Sequence, residues 1–234
     1  MMRIDAWTAG GVSSPVRSPD AAGASAGPDE RCPIAVFASG TGSNLEAMLR
    51  QQHHNPLWPA RVVLVVSDKP GCRACDVARR AGVPVFAERV SAYPDKAAFE
   101  AAVLAQLRAH GVAGIALAGY MRIVGPTLLS AYPRRIVNLH PSLLPAFLGR
   151  QAVRDALAAG VRETGVTVHY VDEGIDTGPI IAQWRVPVDE GMTEEALLAR
   201  VHQVEHALYP AVVGELARMW SAEDRARGSG AGSR

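Results

Sequence analysis

The feature of this sequence that most constrains its fold is the alternation of short apolar runs with amphipathic segments between residues 33 and 140. The apolar runs are rich in β-branched residues and have strand length, which suits a sheet that is covered on both faces. The intervening segments have helical spacing, and such an alternation predicts right-handed crossovers in a mostly parallel, doubly wound α/β sheet. The predicted strands are residues 33–39, 61–67, 83–88, 112–119 and 134–140, and the predicted helices are residues 43–52, 72–82 and 95–111.

The pattern changes in the last third of the chain. Two runs with partial alternation flank the turn-forming segment EGIDTG, and they predict an antiparallel pair that extends the sheet. A long amphipathic helix follows, with Thr193 as its predicted N-cap and Pro210 expected to kink or interrupt it. These predicted elements are a helix over residues 151–160, strands over 164–172 and 179–189, and the C-terminal helix over 192–220.

The two ends of the chain differ from the middle in composition. Residues 1–31 are rich in Gly, Ala, Ser, Pro and charge, and the chain ends in RARGSGAGSR. Such segments bury too little apolar surface to offset the entropy lost on ordering. We therefore expect a disordered leader over residues 1–31, a folded domain over 32–223 and a disordered tail over 224–234.

Composition excludes several classes of function. The formal net charge of +1, without a basic stripe, argues against a nucleic-acid partner. No apolar run reaches the roughly 18 residues of a transmembrane helix, and the first residues lack the apolar segment of a secretory signal. Three cysteines are too few for a disulfide framework, so we expect a cytoplasmic protein that does not bind membranes.

The segment ASGTGSN, residues 38–44, lies between the first predicted strand and the first predicted helix. Glycine lets the backbone approach an anion, and a helix N-terminus adds free N–H groups with partial positive charge. The spacing matches neither the dinucleotide-binding fingerprint nor a P-loop. The segment is compatible with a phosphate site formed by Gly42, Ser43 and Asn44, or with a tight turn into a helix.

The segment NLHPSLLP, residues 138–145, ends the fifth predicted strand, where open α/β sheets bind their ligands. Asn138 and His140 are two positions apart on a strand, so their side chains share a face. An amide and an imidazole placed together could hold an oxyanion and move a proton. A satisfied core histidine is the alternative interpretation. The proline-containing turn indicates a stiff adjoining wall.

Other polar groups give weaker signals. Asp172, Glu173 and Asp176 lie in the turn DEGIDTGP, where a carboxylate could reach a histidine and favour its protonated form. His169, on the preceding predicted strand, is expected to be structural or part of a pocket wall. Two pairs have redox or metal-binding spacing but no further ligands, so a helix start and helix packing are the preferred interpretations. They are Cys72 with Cys75 and His202 with His206.

Three stretches together resemble the phosphoribosylglycinamide formyltransferase family: IAVFASGTGSNLEAML, ALAGYMRIVGPTLLSAYPRRIVNLHPSLLPAF and TGVTVHYVDEGIDTGPIIAQ. The resemblance runs from about Ile34 to Val213. HPSLLP is shared by other users of formyltetrahydrofolate, whereas SGTGSN is more specific to this family. The resemblance implies a Rossmann-like formyltransferase fold. It also implies transfer of a formyl group from the co-substrate 10-formyltetrahydrofolate to glycinamide ribonucleotide, through a tetrahedral intermediate and without a metal.

The resemblance also implies roles for individual residues. Residues 32–131 would form the half that binds the nucleotide phosphate, and residues 132–223 the catalytic and folate-binding half. The implied catalytic residues are Asn138, His140 and Asp176; the implied ribonucleotide-binding residues are Gly42, Ser43, Asn44 and Glu205; the implied folate-binding residues are Lys96, Met121, Arg122, Ile123, Val124 and Asn138.

The sequence departs from the family pattern at Leu148, where proline is common, and at Gln151, where histidine is common. Lys96 stands where the family can have an arginine. These departures put the rigidity of the loop after residue 145 and the affinity for the substrates in doubt, but not the class of reaction.

Several functions other than formyl transfer to glycinamide ribonucleotide are compatible with parts of the sequence. A deformylase or a methionyl-tRNA formyltransferase is expected to need an additional domain. The segment SGTGSN fits a sugar-amine formyltransferase poorly. A ligand-binding homologue with impaired catalysis is a further alternative. The chain could also form a homodimer.

Overall fold

The computed structural model of the chain describes residues 30–230, so nearly all of the predicted leader lies outside the described residues. From Arg31 onward the described residues belong to one compact unit. The strands are β1 (Cys32–Phe37), β2 (Ala60–Ser67), β3 (Val85–Ala87), β4 (Gly114–Leu117), β5 (Ile136–His140), β6 (Glu163–Tyr170) and β7 (Ile180–Pro187). The helices are α1 (Ser43–His54), α2 (Arg73–Arg80), α3 (Lys96–Ala109), α4 (Pro126–Ala131), α5 (Ala152–Ala158) and α6 (Glu194–Gly230), with a 3₁₀ turn over Val90–Ala92.

The strands form one seven-stranded sheet in the order β3-β2-β1-β4-β5-β6-β7. β1 to β5 are parallel to one another, whereas β6 runs antiparallel to both β5 and β7. The prediction of a mostly parallel doubly wound sheet with an antiparallel extension and a long C-terminal helix is confirmed. The segment between the fourth and fifth strands contains α4, which the sequence pattern did not predict.

Two apolar clusters cover the two faces of the sheet. α1, α2, α5 and α6 pack on one face, and α3 and α4 pack on the other. Ile136 lies in the cluster with α3 and α4, whereas Val137 and Leu139 lie in the other cluster. Because side chains alternate along a strand, Asn138 and His140 share the α3–α4 face with Ile136.

The C-terminal helix is anchored at its start and near its middle. The Thr193 hydroxyl accepts a hydrogen bond from the Ala196 N–H at 3.2 Å, as expected of an N-cap. α6 remains one helix through Pro210, so the predicted interruption does not occur. The Pro210 carbonyl accepts a hydrogen bond from the buried Trp58 indole N–H at 2.9 Å, which ties this turn of the helix to the core.

α6 continues through Gly230 and so covers the first part of residues 224–234, where the sequence predicts a disordered tail. The Arg135 guanidinium, beside β5, bonds to Glu223 at 2.9 Å and to Asp224 at 2.7 Å. This pairing fixes the helix beyond Trp220. Residues 231–234 lie outside the described residues. None of the helices within residues 30–230 is long and apolar enough to cross a membrane.

Candidate active site

The carboxylate of Asp176 is the centre of the polar cluster at the end of β5. Its Oδ1 atom accepts a hydrogen bond from Asn138 Nδ2 at 3.2 Å, and its Oδ2 atom accepts one from the Gly149 N–H at 3.1 Å. Oδ2 also lies 3.4 Å from His140 Nδ1, and Oδ1 lies 3.6 Å from His169 Nε2. The structure therefore brings the predicted catalytic set together, with His169 added.

These contacts control the protonation of Asp176. The contact with His169 lowers the pKa of the Asp176 carboxyl most. Burial acts in the opposite direction, and the His140 charge and the Gly149 N–H lower the pKa further. The net pKa is below the ordinary value, so the carboxylate is ionised at neutral pH.

His140 is held from both of its ring nitrogens. Its Nε2 atom lies 2.8 Å from the carbonyl oxygen of Phe147, and a carbonyl can only accept, so Nε2 carries a proton. Nδ1 faces Asp176, and a proton on Nδ1 would complete a second hydrogen bond to that carboxylate. The ring is 4% exposed, so its position is set by these two partners and by packing.

The amide of Asn138 has both of its N–H groups engaged. His169 Nδ1 lies 2.9 Å from the Tyr170 carbonyl oxygen and donates to it. In the neutral ring Nε2 accepts from Asn138 Nδ2 at 3.2 Å, and in the protonated ring Nε2 donates toward Asp176 Oδ1. The other N–H of Asn138 is directed to Asp176. A substrate oxygen must therefore displace one of these acceptors to reach the amide. His169, expected only as structure or pocket wall, orients the amide through this bond.

The turn that follows β5 is stiffened by hydrogen bonds as well as by proline. Thr167 Oγ1 on β6 donates to the Ser142 carbonyl at 2.6 Å and accepts from the Leu144 N–H at 3.1 Å. The buried Ser142 hydroxyl donates to the Ala146 carbonyl at 2.6 Å. Thr167 pairs with His140 across the β5–β6 ladder, so the sheet supports the turn directly beside the imidazole.

The glycine-rich segment forms a tight entry into α1. Gly42 is the N-cap and has a left-handed φ of 78°. A Cβ atom at Gly42 would lie 2.8 Å from the Ala74 Cα of α2, so only glycine fits there. Glycine has no side chain to cap α1, which leaves the N–H groups at the start of the helix directed at the space before Ser43.

Asn44 connects this helix start to α6. Its Nδ2 atom donates to Glu205 Oε2 at 2.9 Å. Glu205 is 6% exposed, and burial raises the pKa of its carboxyl while the Asn44 hydrogen bond offsets part of that effect. The Asn44 Oδ1 atom is buried and has no hydrogen-bond partner among the described residues. A buried acceptor of this kind suits a ligand that carries a donor.

A cavity of about 330 Å³ lies on the α3 side of the sheet, beyond the end of β4. It includes four of the residues predicted to bind folate. Val124 is 4% exposed and packs in the core, so its side chain is not part of the cavity wall. The lining residues are Val90, Lys96, Phe99, Glu100, Tyr120, Met121, Arg122 and Ile123.

A buried network that sequence reasoning missed fixes this cavity wall. The Asp68 carboxylate accepts hydrogen bonds from the Ser39 hydroxyl and from Arg122 Nε, the latter at 2.9 Å. Ser39 Oγ in turn accepts from the Met121 N–H at 3.0 Å. Burial raises the pKa of Asp68, but the bonds from Ser39 and Arg122 outweigh it and the net pKa is lowered. The glycine-rich segment and the cavity wall are thus physically connected.

Comparison with known proteins assigns this architecture to a family. Residues 32–213 match the family model described as formyl transferase. The match covers most of the chain, so the chain belongs to the formyl transferase family.

Named relatives narrow this assignment to phosphoribosylglycinamide formyltransferase. A curated protein of that name from Bacillus subtilis is 52% identical over 184 residues, which is 78% of this chain and 93% of the relative. The Mycobacterium tuberculosis protein of the same name is 47% identical over 79% of this chain and 84% of its own length. The crystal structure of glycinamide ribonucleotide transformylase 1 from Geobacillus kaustophilus is 54% identical with a TM-score of 0.78, covering 80% of this chain and 99% of that chain.

The ionised state of Asp176 leads to a prediction about stability. Because the pKa of Asp176 is lower in the folded chain than in the unfolded chain, its ionisation stabilises the fold fully at pH values above the unfolded pKa of about 4. This stabilisation is lost as the pH falls through the folded pKa. We expect Asp176→Asn to lower the free energy of unfolding by about 1–3 kcal/mol at pH 7. The difference from wild type should shrink below about pH 4.

Urea denaturation from pH 7 to pH 2.5 measures this difference. Asp155→Asn, on the exposed face of α5, is the matched control and should show almost no difference. A difference that stays constant across this pH range would contradict the assignment of a lowered pKa to Asp176.

Proposed function

We propose that this chain transfers a formyl group from 10-formyltetrahydrofolate to the amine of glycinamide ribonucleotide. The observation that carries the proposal is the convergence of Asn138, His140 and His169 on Asp176 at the end of β5. The relatives named phosphoribosylglycinamide formyltransferase support the same reaction. A cytoplasmic location and a homodimer accompany this proposal as predictions.

The geometry suits an attack on a formyl carbon. As the amine attacks, the formyl oxygen gains negative charge, and donors that meet this charge accelerate the step. Asn138 Nδ2 and a protonated His140 are the proposed donors. Both groups have hydrogen-bond partners in the protein, so the oxyanion would replace His169 at the amide or Phe147 at the imidazole. The bonds from these donors to the formyl oxygen would be strongest in the transition state, because the oxygen carries its negative charge there.

His140 and Asp176 are also suited to the proton transfers. The attacking amine must lose a proton, and the departing folate nitrogen must gain one. His140 can carry that proton, because the ionised Asp176 stabilises the imidazolium at a distance of 3.4 Å. The Gly149 N–H holds the same carboxylate oxygen, which limits rotation of the carboxylate.

Two separate regions would bind the two substrates. The start of α1 supplies N–H groups for the ribonucleotide phosphate at Gly42, Ser43 and Asn44, and Glu205 with the free Asn44 Oδ1 is suited to the polar remainder. The cavity beyond β4 is suited to the folate, with Met121, Arg122 and Ile123 along the pterin. Half-exposed Lys96 at its edge could pair with a folate carboxylate.

The remaining alternatives differ in what they require of the ribonucleotide. A deformylase would release folate without it, and a sugar-amine formyltransferase would use another amine. An impaired homologue would bind both substrates without turnover.

Leu148 is 47% exposed and precedes Gly149, so this departure from the family pattern lies next to the residue whose N–H contacts Asp176.

The decisive assay mixes the purified chain with 10-formyltetrahydrofolate, with and without glycinamide ribonucleotide, and follows folate release spectroscopically. We expect release only when the ribonucleotide is present. Release without it would indicate a deformylase. Binding of both substrates without release would indicate the impaired homologue and would make Leu148→Pro the first reversion to test.

Variants of the Asp176 cluster test the proposed roles. His140→Ala and Asp176→Asn should each lower turnover by about 100- to 1,000-fold, because each removes a group that acts on charge in the transition state. His54→Ala and Asp155→Asn change exposed residues of the same types and should retain turnover. Near-normal turnover in a folded His140→Ala or Asp176→Asn variant would remove that residue from the mechanism.

The glycine-rich segment gives a separate prediction about binding. Gly42→Ala places a methyl group 2.8 Å from Ala74 Cα at a left-handed φ, and it should raise the KM for the ribonucleotide far more than the KM for folate. Gly40→Ala is the matched control, since a Cβ at Gly40 meets nothing within 4 Å. An equal rise in both KM values would indicate general misfolding and would count against a phosphate site.

A further inference from the structure

Cys72 and Cys75 form a close pair of thiols that the proposed reaction does not use. Both are free, and their Sγ atoms are 3.4 Å apart. Cys72 is the N-cap of α2 and is partly exposed, whereas Cys75 is fully buried one turn further along. A disulfide has an S–S length of about 2.05 Å, so the sulfurs need to approach by little more than an ångström.

The surroundings of the two thiols make them chemically different. Burial raises the pKa of Cys72, but hydrogen bonds from the Ser67 hydroxyl and from the Cys75 and Ala74 N–H groups outweigh it and lower the net pKa. Burial raises the pKa of Cys75 to about 11, and the contact with Cys72 adds to that rise. A thiol of lowered pKa on a partly exposed residue thus lies beside a buried thiol that could resolve it.

The first turn of α2 also holds the glycine-rich segment in place. The Ala74 N–H donates to the Gly40 carbonyl at 3.1 Å, and Arg73 Nη1 donates to the Thr41 carbonyl at 3.1 Å. Gly42 packs so closely on Ala74 that no side chain fits between them. Both residues that contact the segment, Arg73 and Ala74, lie between the two cysteines in sequence, so we expect a change in the backbone of this turn to alter the segment.

We propose that Cys72 and Cys75 are a redox-active dithiol, that peroxides convert it reversibly to a disulfide, and that the disulfide weakens ribonucleotide binding. The last part, weaker ribonucleotide binding, rests on the proposed function of the glycine-rich segment, residues 38–44. The first part depends only on the two thiols and can be tested without any substrate.

The chemistry balances with hydrogen peroxide as the oxidant. The Cys72 thiolate attacks one peroxide oxygen, the O–O bond breaks, and Cys72 becomes a sulfenic acid while hydroxide leaves and is protonated to water. The Cys75 sulfur then attacks the Cys72 sulfur, the S–O bond breaks, and the leaving hydroxide takes up the Cys75 proton as a second water. The two sulfurs lose two electrons in total, and the peroxide is reduced by two.

The disulfide is tested first, on the full chain. The protein is treated with hydrogen peroxide at neutral pH, alkylated, cleaved with trypsin after Arg73 and analysed by mass spectrometry. Because the cleavage separates Cys72 from Cys75, we expect their two peptides to remain linked after oxidation and to separate after treatment with dithiothreitol. Cys32→Ser, which removes the third, buried cysteine, should behave like wild type.

Single variants distinguish the roles of the two thiols. Cys75→Ser should stop at a sulfenic acid on Cys72 that a cyclic dione reagent labels, and Cys72→Ser should form neither product. Cysteines that stay alkylatable after peroxide treatment, or a sulfinic acid at Cys72 without a linked peptide, would overturn the proposal.

Kinetics then test the coupling to the segment. Oxidised wild type should have a KM for the ribonucleotide about 5-fold or more above that of the reduced protein, with the KM for folate unchanged. The Cys72→Ser/Cys75→Ser double variant, treated identically, corrects for oxidation elsewhere, such as at exposed Met121. Unchanged kinetics in a fully disulfide-bonded sample would overturn the coupling. Absence of ribonucleotide-dependent turnover in the reduced protein would instead count against the proposed function.

Discussion

The ionised carboxylate of Asp176 is the interaction on which the rest of the site depends. It fixes the amide of Asn138, faces the imidazole of His140 and anchors the backbone of Gly149 in the following loop. Asp176 reaches this position from the turn between β6 and β7, with a left-handed φ of 56°. A charge buried at this depth is tolerated only because several donors surround it. The cluster therefore holds its geometry before any substrate arrives.

The topology of the sheet makes this convergence possible. β5 is the last parallel strand, and the antiparallel β6 places His169 directly opposite Asn138. The hydroxyl of Tyr209 on α6 shares its single proton between the carbonyls of Leu117 and Val137, at 2.8 and 3.2 Å, and so joins β4 and β5 beside the cluster. The same helix carries Glu205 toward the start of α1. The carboxyl end of the parallel strands thus supports the proposed catalytic cluster and both proposed binding regions.

The local parts of this arrangement could be predicted from the sequence, and the long-range parts could not. Runs such as RVVLVVS identify buried strands by composition alone, and Thr193 is recognisable as a cap. The acceptors that His169 and Asp68 provide depend on strand register and on residues 31 and 54 positions away, which no local pattern encodes. The continuation of α6 beyond residue 223 has the same cause, because Arg135 stabilises it from 89 positions earlier.

The most direct test of the central claim is a crystal structure with glycinamide ribonucleotide and a non-transferable 10-formyltetrahydrofolate analogue bound together. The account predicts the phosphate at the start of α1 and the formyl oxygen within about 3.2 Å of Asn138 Nδ2, with Asp176 still bonded to the Gly149 N–H. A formyl group bound away from Asn138 and His140, or a phosphate bound away from Gly42, would contradict it.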